Sequence, residues 1–315
     1  MSKKILAAVL HEYNKPLSLE YIDLEPRPGE VIINVKASGV CGRDIVIWRG
    51  GFKLNPPLVL GHEVFGEFDG KPVGVYGAVT CGECNYCRTG RENLCNELTF
   101  LGEGRLGGYA EAVAVPMRNI FELPDEQFEK YAAATCPLAT AIHATRLADP
   151  RGRTVMVTGA GGSVGIHMIQ YLKALGAKVV AVTSSGKKAK VEKYADEVVL
   201  EGQRYPGKVD IVYDNVGAPT INEGLRSLDK EGILVLIGNV EGQEIVLKRP
   251  ALTIMREQHI IGSAAYTSAE VREAVKLIHD GAINTEFTPY KLRDVNKAID
   301  DVINRRVPGK AVLIP

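Results

Sequence analysis

Thr154-Val155-Met156-Val157-Thr158 runs directly into Gly159-Ala160-Gly161-Gly162-Ser163-Val164-Gly165. The first five residues form a short apolar run of the kind that makes a strand buried on both faces. Beyond the glycines, Val164, Met168, Tyr171, Leu172 and Leu175 recur at helical spacing, and Gly176 stops the helix. Lys178-Val179-Val180-Ala181-Val182 is the next strand. Strand, glycine turn, helix and strand in that order make a βαβ unit, which requires a parallel sheet and a right-handed crossover. The glycines fit Gly159-x-x-Gly162-x-x-Gly165; a G-x-G-x-x-G pattern from Gly159 would put its last glycine at Val164. A turn of this kind brings backbone N–H groups to the positive end of a helix, where a pyrophosphate binds. Gly159, Gly161, Gly162, Ser163, Val164 and Gly165 are therefore the expected dinucleotide-binding residues. The bland alternative is a tight turn that only joins strand to helix.

The end of the second strand separates the two nicotinamide cofactors. An NAD(H) site wants a carboxylate there for the ribose 2′-hydroxyl. This chain has Thr183-Ser184-Ser185-Gly186-Lys187-Lys188 instead. Small hydroxyls and positive charge suit a 2′-phosphate, so the sequence favours NADP(H), with Ser184, Ser185 and Lys188 as its donors. A solvated loop leading into a charged helix start is the plain alternative.

Outward from this unit, Val209-Asp210-Ile211-Val212-Tyr213 and Ile233-Leu234-Val235-Leu236-Ile237 read as further strands. Before residue 120 the texture is different: short apolar runs such as Val31–Val35 and Ala112–Val115 alternate with Gly, Pro and polar residues, which reads as mostly β. A chain of 315 residues exceeds one small core and fits two domains. Its 38 basic and 38 acidic residues cancel, leaving no basic stripe for nucleic acid and no polybasic arm for a membrane. The apolar run Ile5–Leu10 is broken by His11 and Glu12, so it reads as a first strand and not as a signal peptide. No apolar stretch approaches the ~20 residues of a membrane span. A cytoplasmic location is the expectation.

Six cysteines remain, and all can be placed in two metal sites. Cys81, Cys84, Cys87 and Cys95 crowd together as C-x2-C-x2-C-x7-C, enough thiolates to close a tetrahedral zinc site. An independent zinc-ribbon module is the competing reading, but the long gap between two CxxC knuckles is missing. Cys41 is followed at a distance by Gly61-His62-Glu63, and two thiolates with one imidazole leave a fourth position open for chemistry. Cys136 lies in the apolar stretch Ala132–Thr140, where a buried core cysteine is the ordinary expectation.

The succession Cys41-Gly42-Arg43-Asp44, Gly61-His62-Glu63, Cys81 to Cys95, Cys136 and the glycine-rich βαβ unit resembles zinc-containing medium-chain dehydrogenases/reductases over essentially the whole chain. The resemblance implies an α/β protein with two parts. A GroES-like β-rich catalytic domain would span residues 1–121 and 284–315, and a Rossmann-type doubly wound parallel sheet residues 122–283. It implies that Cys41, His62 and Cys136 hold a catalytic zinc and that the four clustered cysteines hold a structural one. Asp44 and Glu63 would orient the ligands and approach the metal, and the nicotinamide would lie against the strand ends near Gly238 and Gly262. It also implies a homo-oligomer, since the structural zinc lobe commonly supports subunit contacts in the family.

Two departures stand out. Alcohol-oxidising members carry Ser or Thr two residues after the first cysteine and often a His three further on, which pass the alcohol proton to solvent. Here those places hold Arg43, which stays protonated, and Val46, which has no polar atom. The glycine loop, the Arg-Asp pair after Cys41, Gly165-Ile166-His167 and Ile237-Gly238-Asn239-Val240 resemble archaeal acryloyl-CoA reductases of the same superfamily. The leading expectation is a zinc-containing NADP(H)-dependent oxidoreductase acting on an alcohol/carbonyl pair. Arg43 would then bind an anionic group of a small-molecule substrate or stabilise a developing oxyanion. The second is reduction of an activated C=C bond, of enoyl-CoA, acryloyl-CoA or quinone type, with Arg43 on the thioester or a CoA phosphate. A non-catalytic NADPH-binding protein is a third, opposed by the intact ligand set. Trp48, Phe52, Leu54, Tyr109 and Tyr266 are the expected shapers of the substrate pocket.

Overall fold

The structure, a computed structural model, describes residues 2–239 and 242–315. Val240, which closes one of the motifs above, lies outside the described residues. The chain divides into two units. One runs to Cys136 and takes in Thr267–Asp280 and Thr285–Pro315; the other is Pro137–Tyr266 with Gly281–Asn284.

In the first unit the long strand Glu30–Gly39 is the hub. It pairs antiparallel with Glu63–Phe68, with Ala112–Pro116 and with Lys310–Ile314. Its register decides the chemistry that follows. Gly39 stands opposite Glu63 on one side and opposite Val312 on the other, so the sheet brings Glu63 beside the strand that begins with Lys310. Glu63–Phe68 returns as Lys71–Val75 through Asp69-Gly70, both in the left-handed region at φ 48 and 74. That is the Asp-Gly hairpin turn whose twist matches the strands. A second sheet, Ser18–Leu24, Lys3–Leu10 and Leu58–Val59, packs its Ile5, Ala7 and Val9 into one core with Ile45 and Ile47 of the helix Gly42–Trp48.

The second unit is the parallel sheet read from the glycine turn outward. Its strand order is Glu197–Leu200, Lys178–Thr183, Thr154–Thr158, Val209–Asp214, Leu228–Leu236, His259–Gly262, parallel throughout. Alternation along Thr154–Thr158 sends Val155 and Val157 into one apolar layer and Met156 into the other, so both faces are covered as a parallel sheet requires. The chain leaves Thr154–Thr158 to one neighbour first and to the other later. Its carboxyl end is therefore the switch point at which open α/β sheets bind ligands. Among the described residues no helix is long and apolar enough to cross a membrane.

Candidate active site and metal centres

The four clustered cysteines converge. All four sulfurs lie within 4.8 Å of one another, with Cys84–Cys87 and Cys95–Cys81 at 3.5 Å and Cys81–Cys87 at 3.8 Å. A tetrahedron with metal–sulfur arms of about 2.3 Å has edges of about 3.8 Å, whereas a disulfide needs about 2.05 Å. The spacing fits a tetrahedral ion. The backbone N–H groups of Cys81 and Glu97 donate to Cys95 Sγ, and that of Cys84 donates to Cys81 Sγ. Such donors favour thiolates, and a backbone N–H at Cys87 brings the Cys84 thiol down to about 6.

Cys41, His62, Glu63 and Cys136 form the second cluster, their ligand atoms again within 4.8 Å of one another. They come from three segments of the chain, with His62 and Glu63 adjacent at the start of the strand Glu63–Phe68. Cys41 caps the helix Gly42–Trp48, and its N–H donates to Asp44 Oδ2 at 2.8 Å. The other oxygen of Asp44 faces His62 Nδ1 at 3.3 Å, which leaves Nε2 toward Cys136 Sγ at 4.0 Å. Asp44 thus positions both a thiol and an imidazole, the arrangement that orients metal-ligating histidines. Tyr109 completes the set, its hydroxyl donating to Asp44 Oδ2 at 2.9 Å. That ring is wholly buried, so Tyr109 holds the ligand frame and does not shape a substrate pocket as expected. Cys136 comes from the helix Phe128–Leu147, immediately before Pro137.

Lys310 is the residue the sequence reading missed. Its ammonium lies 2.5 Å from Glu63 Oε1, and the two side chains are 4% and 1% exposed. Burial opposes the charge on Lys310, but Glu63, Cys41 and Cys136 outweigh it and hold its pKa above the ordinary lysine value. Burial pushes Glu63 up to about 7 against the pull of Lys310. The other carboxylate oxygen, Oε2, is buried without a hydrogen-bond partner among the described residues. Gly39 makes room for it: a Cβ there would stand 1.9 Å from Glu63 Oε2 and 2.4 Å from the Ala132 carbonyl. The bond between Cys41 and Cys136 lowers the first thiol and raises the second, as when two sites share a proton. A buried donor set of two thiols and an imidazole, with an unpartnered carboxylate oxygen beside it, fits a zinc ion.

Arg43 follows Cys41 by two residues, and its guanidinium forks onto Glu103 through Nε and, at 3.0 Å, Nη2. Its Cζ lies 4.6 Å from the ring centre of Phe52 and 4.7 Å from that of Phe100, and Phe100 meets the His62 ring edge-on at 5.9 Å. Trp48, Phe52 and Leu54 are half-buried against the same core, and Tyr266 is buried in the other unit.

In the second unit Gly162 caps the helix Ser163–Ala174, whose first N–H groups, at Ser163, Val164 and Gly165, lie outside the helical ladder. Gly165 lets helix and turn close: a Cβ would stand 2.4 Å from the Gly159 carbonyl and 2.7 Å from Ala160 Cα. Lys187 lies across the turn, its Cβ and Cδ each 2.7 Å from where a Gly161 Cβ would be. Lys188 points elsewhere, pairing with Glu192 at 3.2 Å. Ser184 caps the short turn Ser185–Lys187 at the carboxyl end of Lys178–Thr183. Gly262 ends its strand and Gly238 lies just past the end of the neighbouring one, where its N–H donates to the Asp214 carbonyl at 3.2 Å.

Residues 27–125 match the alcohol dehydrogenase GroES-like domain and residues 163–280 the zinc-binding dehydrogenase domain. The acryloyl-coenzyme A reductase of Metallosphaera sedula is 34% identical, over 93% of this chain and 95% of that protein. The acryloyl-coenzyme A reductase of Sulfurisphaera tokodaii is 32% identical, over 92% and 94%. A cobalt- and zinc-bound thermostable alcohol dehydrogenase from Pyrobaculum aerophilum superposes with a TM-score of 0.90 at 29% identity, over 99% of this chain and 100% of that one.

Proposed function

The chain belongs to the zinc-containing medium-chain dehydrogenases/reductases, and on that premise we propose that it is an NADP(H)-dependent reductase of a C=C bond conjugated to a thioester carbonyl. The observation that carries this reading is a complete metal-ligand set without a proton relay. Cys41, His62 and Cys136 converge, while the relay positions hold Val46 and an Arg43 committed to Glu103. Zinc held by Cys41, His62 and Cys136 supplies Lewis acidity toward a carbonyl oxygen, and NADPH supplies the hydride. In conjugate reduction the hydride goes to the β-carbon and the proton to the α-carbon, so no relay to the oxygen is required. Asp44 orients His62 and Cys41, and Lys310 pairs with Glu63 Oε1, which lies 4.0 Å from His62 Nε2. The acryloyl-CoA reductases among its relatives point to the same substrate class.

NADP(H) is preferred because hydroxyls and lysines stand where a carboxylate would select NAD(H). Lys187, which lies over the glycine turn, replaces Lys188 as the cation nearest the cofactor phosphates. Ser184 and Ser185 remain the proposed hydroxyl donors, and Gly238 and Gly262 the strand ends against which the nicotinamide rests. The domain limits read from the sequence, a homo-oligomer and a cytoplasmic location belong to the same proposal. Action on an alcohol/carbonyl pair is the second reading, favoured by the likeness to a metal-bound alcohol dehydrogenase.

NADPH oxidation by zinc-loaded protein, with acryloyl-CoA and crotonyl-CoA beside a panel of aldehydes and ketones, separates the two. Turnover of the enoyl thioesters with saturated acyl-CoA as product supports the proposal. Turnover of simple carbonyls alone moves the protein to the alcohol/carbonyl reading and demands a proton donor other than Arg43 and Val46.

A further inference from the structure

Asp214 closes the strand Val209–Asp214 and is wholly buried. Four donors converge on its Oδ1: the Thr158 hydroxyl at 3.0 Å, the N–H groups of Val216 at 2.9 Å and Gly217 at 2.8 Å, and the Thr220 hydroxyl at 2.9 Å. The Thr220 hydroxyl also lies 2.9 Å from Oδ2. An ionised carboxylate that gathers backbone N–H groups in this way fixes a loop more firmly than a neutral acceptor does. The main-chain carbonyl of the same residue accepts from Ile237 N–H at 2.8 Å as well as from Gly238. Asp214 therefore ties together three strand ends, those of Thr154–Thr158, its own strand and Leu228–Leu236.

The loop it holds meets the next one backbone to backbone. Gly217 lies at φ 95, and a Cβ there would stand 2.7 Å from the Gly238 carbonyl oxygen. A Cβ at Gly238 would stand 2.3 Å from the Asn215 carbonyl oxygen. A shift of one loop is thus passed to the other. Strand order says which half of a dinucleotide lies here. A 2′-phosphate at the end of Lys178–Thr183 and a pyrophosphate at the turn after Thr154–Thr158 occupy adjacent strands, and the next two in that direction are Val209–Asp214 and Leu228–Leu236. The nicotinamide half is what remains to cover them.

We infer that Asp214 is a positioning residue for the nicotinamide half of the cofactor: its carboxylate holds the loop Asn215–Gly217, and through Gly217 the backbone at Gly238, in the shape that binding requires. A loop that must be ordered on binding lowers affinity by the cost of that ordering, so preorganisation of this kind is read in a dissociation constant. The inference rests on the proposed placing of the cofactor along these strand ends, and it does not depend on which substrate is reduced.

Calorimetric titration with NADPH beside 2′,5′-ADP, its adenosine half, tests it without turnover. Asp214→Ala leaves the converging donors without an acceptor; it should weaken NADPH binding at least about ten-fold, as for one charge-assisted hydrogen bond, and 2′,5′-ADP binding less than about two-fold. Asp214→Asn keeps an oxygen in the place of Oδ1 and can turn its amide to the Thr220 hydroxyl, so NADPH affinity should return to within about three-fold of wild type. A residue that only stabilised the fold would move both ligands alike or neither. Equal losses for NADPH and 2′,5′-ADP, an NADPH loss below about ten-fold in Asp214→Ala, or no recovery in Asp214→Asn overturns the inference. If Asp214→Ala does not fold, Thr220→Val decides: it removes the donor shared by both oxygens and should weaken NADPH at least about three-fold with 2′,5′-ADP unchanged, and a smaller or shared loss overturns the inference. NADH and 5′-AMP form a parallel pair, so a wild type that prefers NADH corrects the cofactor reading while Asp214 is read in the same way on that pair. A wild type that binds neither cofactor overturns the placing of the cofactor and this inference with it.

Discussion

Replacing Lys310 by Met removes the ammonium that donates to Glu63 Oε1 while keeping most of the side-chain volume. At 2.5 Å, with an effective dielectric constant of about 20, the gross attraction is about 6–7 kcal/mol. The chain does not lose all of it, because Glu63 can take up a proton. Burial already holds Glu63 at about 7, so neutralising it near pH 7 costs under about 1 kcal/mol. What remains is a charge-assisted hydrogen bond and its desolvated environment, about 3 kcal/mol, at the low end for breaking a buried pair. The sign with pH follows. A carboxyl raised on folding stabilises the folded state below its unfolded value of 4.5, and that contribution is lost as pH climbs through about 7. Without Lys310 the Glu63 value rises further, so the variant should lose more stability at pH 8 than at pH 6. Urea unfolding of the metal-free protein, followed by fluorescence of Trp48, the single tryptophan and part of the same unit, reads the cost. Adding Glu63→Gln should restore at least about 2 kcal/mol, since no charge is then stranded. A cost below about 1 kcal/mol, or no recovery in the double variant, would show that Lys310 does not hold the Glu63 charge in place.

Three further outcomes follow from single contacts. Gly165→Ala drives a methyl into the Gly159 carbonyl and Ala160 Cα; backbone cannot yield cheaply, so about 2 kcal/mol of stability and at least ten-fold in NADPH affinity should be lost, measured by melting and fluorescence titration. Lys187→Gln should weaken NADPH binding about ten-fold and NADH binding less than two-fold, whereas Lys188→Gln should leave the ratio of the two dissociation constants unchanged. Burial raises Asp125, but bonds from the Gln127 N–H, Tyr131 and His279 outweigh it and depress its pKa. Asp125→Asn should therefore cost about 1 kcal/mol at pH 7, and urea midpoints of variant and wild type should converge as pH falls through and below 3.8.

The parallel sheet was legible because its signals are local. One strand, one glycine turn and one amphipathic helix lie within Thr154–Ala174, and no distant residue is needed to interpret them. The convergence of the four cysteines was legible for the same reason, with their thiols confined to Cys81–Cys95. What surrounds the cluster of Cys41, His62 and Cys136 was not. Lys310 reaches Glu63 across 247 positions and Glu103 reaches Arg43 across 60. Both pairings depend on strand register and loop closure, which leave no periodic trace in sequence. Gly39 is the sharpest case: nothing in Lys36-Ala37-Ser38-Gly39 marks it, yet the pairing of Gly39 with Glu63 makes a side chain there impossible without displacing the carboxylate. Lys187 and Lys188 could not be separated from sequence, because one residue of register decides which lies over the glycine turn.

Under the proposed function, Cys41, His62 and Cys136 hold a metal that the reaction uses, apart from the metal of the four-cysteine lobe. Zinc content per chain, measured beside NADPH-dependent reduction of crotonyl-CoA in wild type and His62→Ala, tests it most directly. Two zinc ions are expected in wild type and one in His62→Ala, with reduction lost by at least about a hundred-fold and NADPH affinity kept. A His62→Ala protein that holds one zinc and still reduces crotonyl-CoA at the wild-type rate would contradict it.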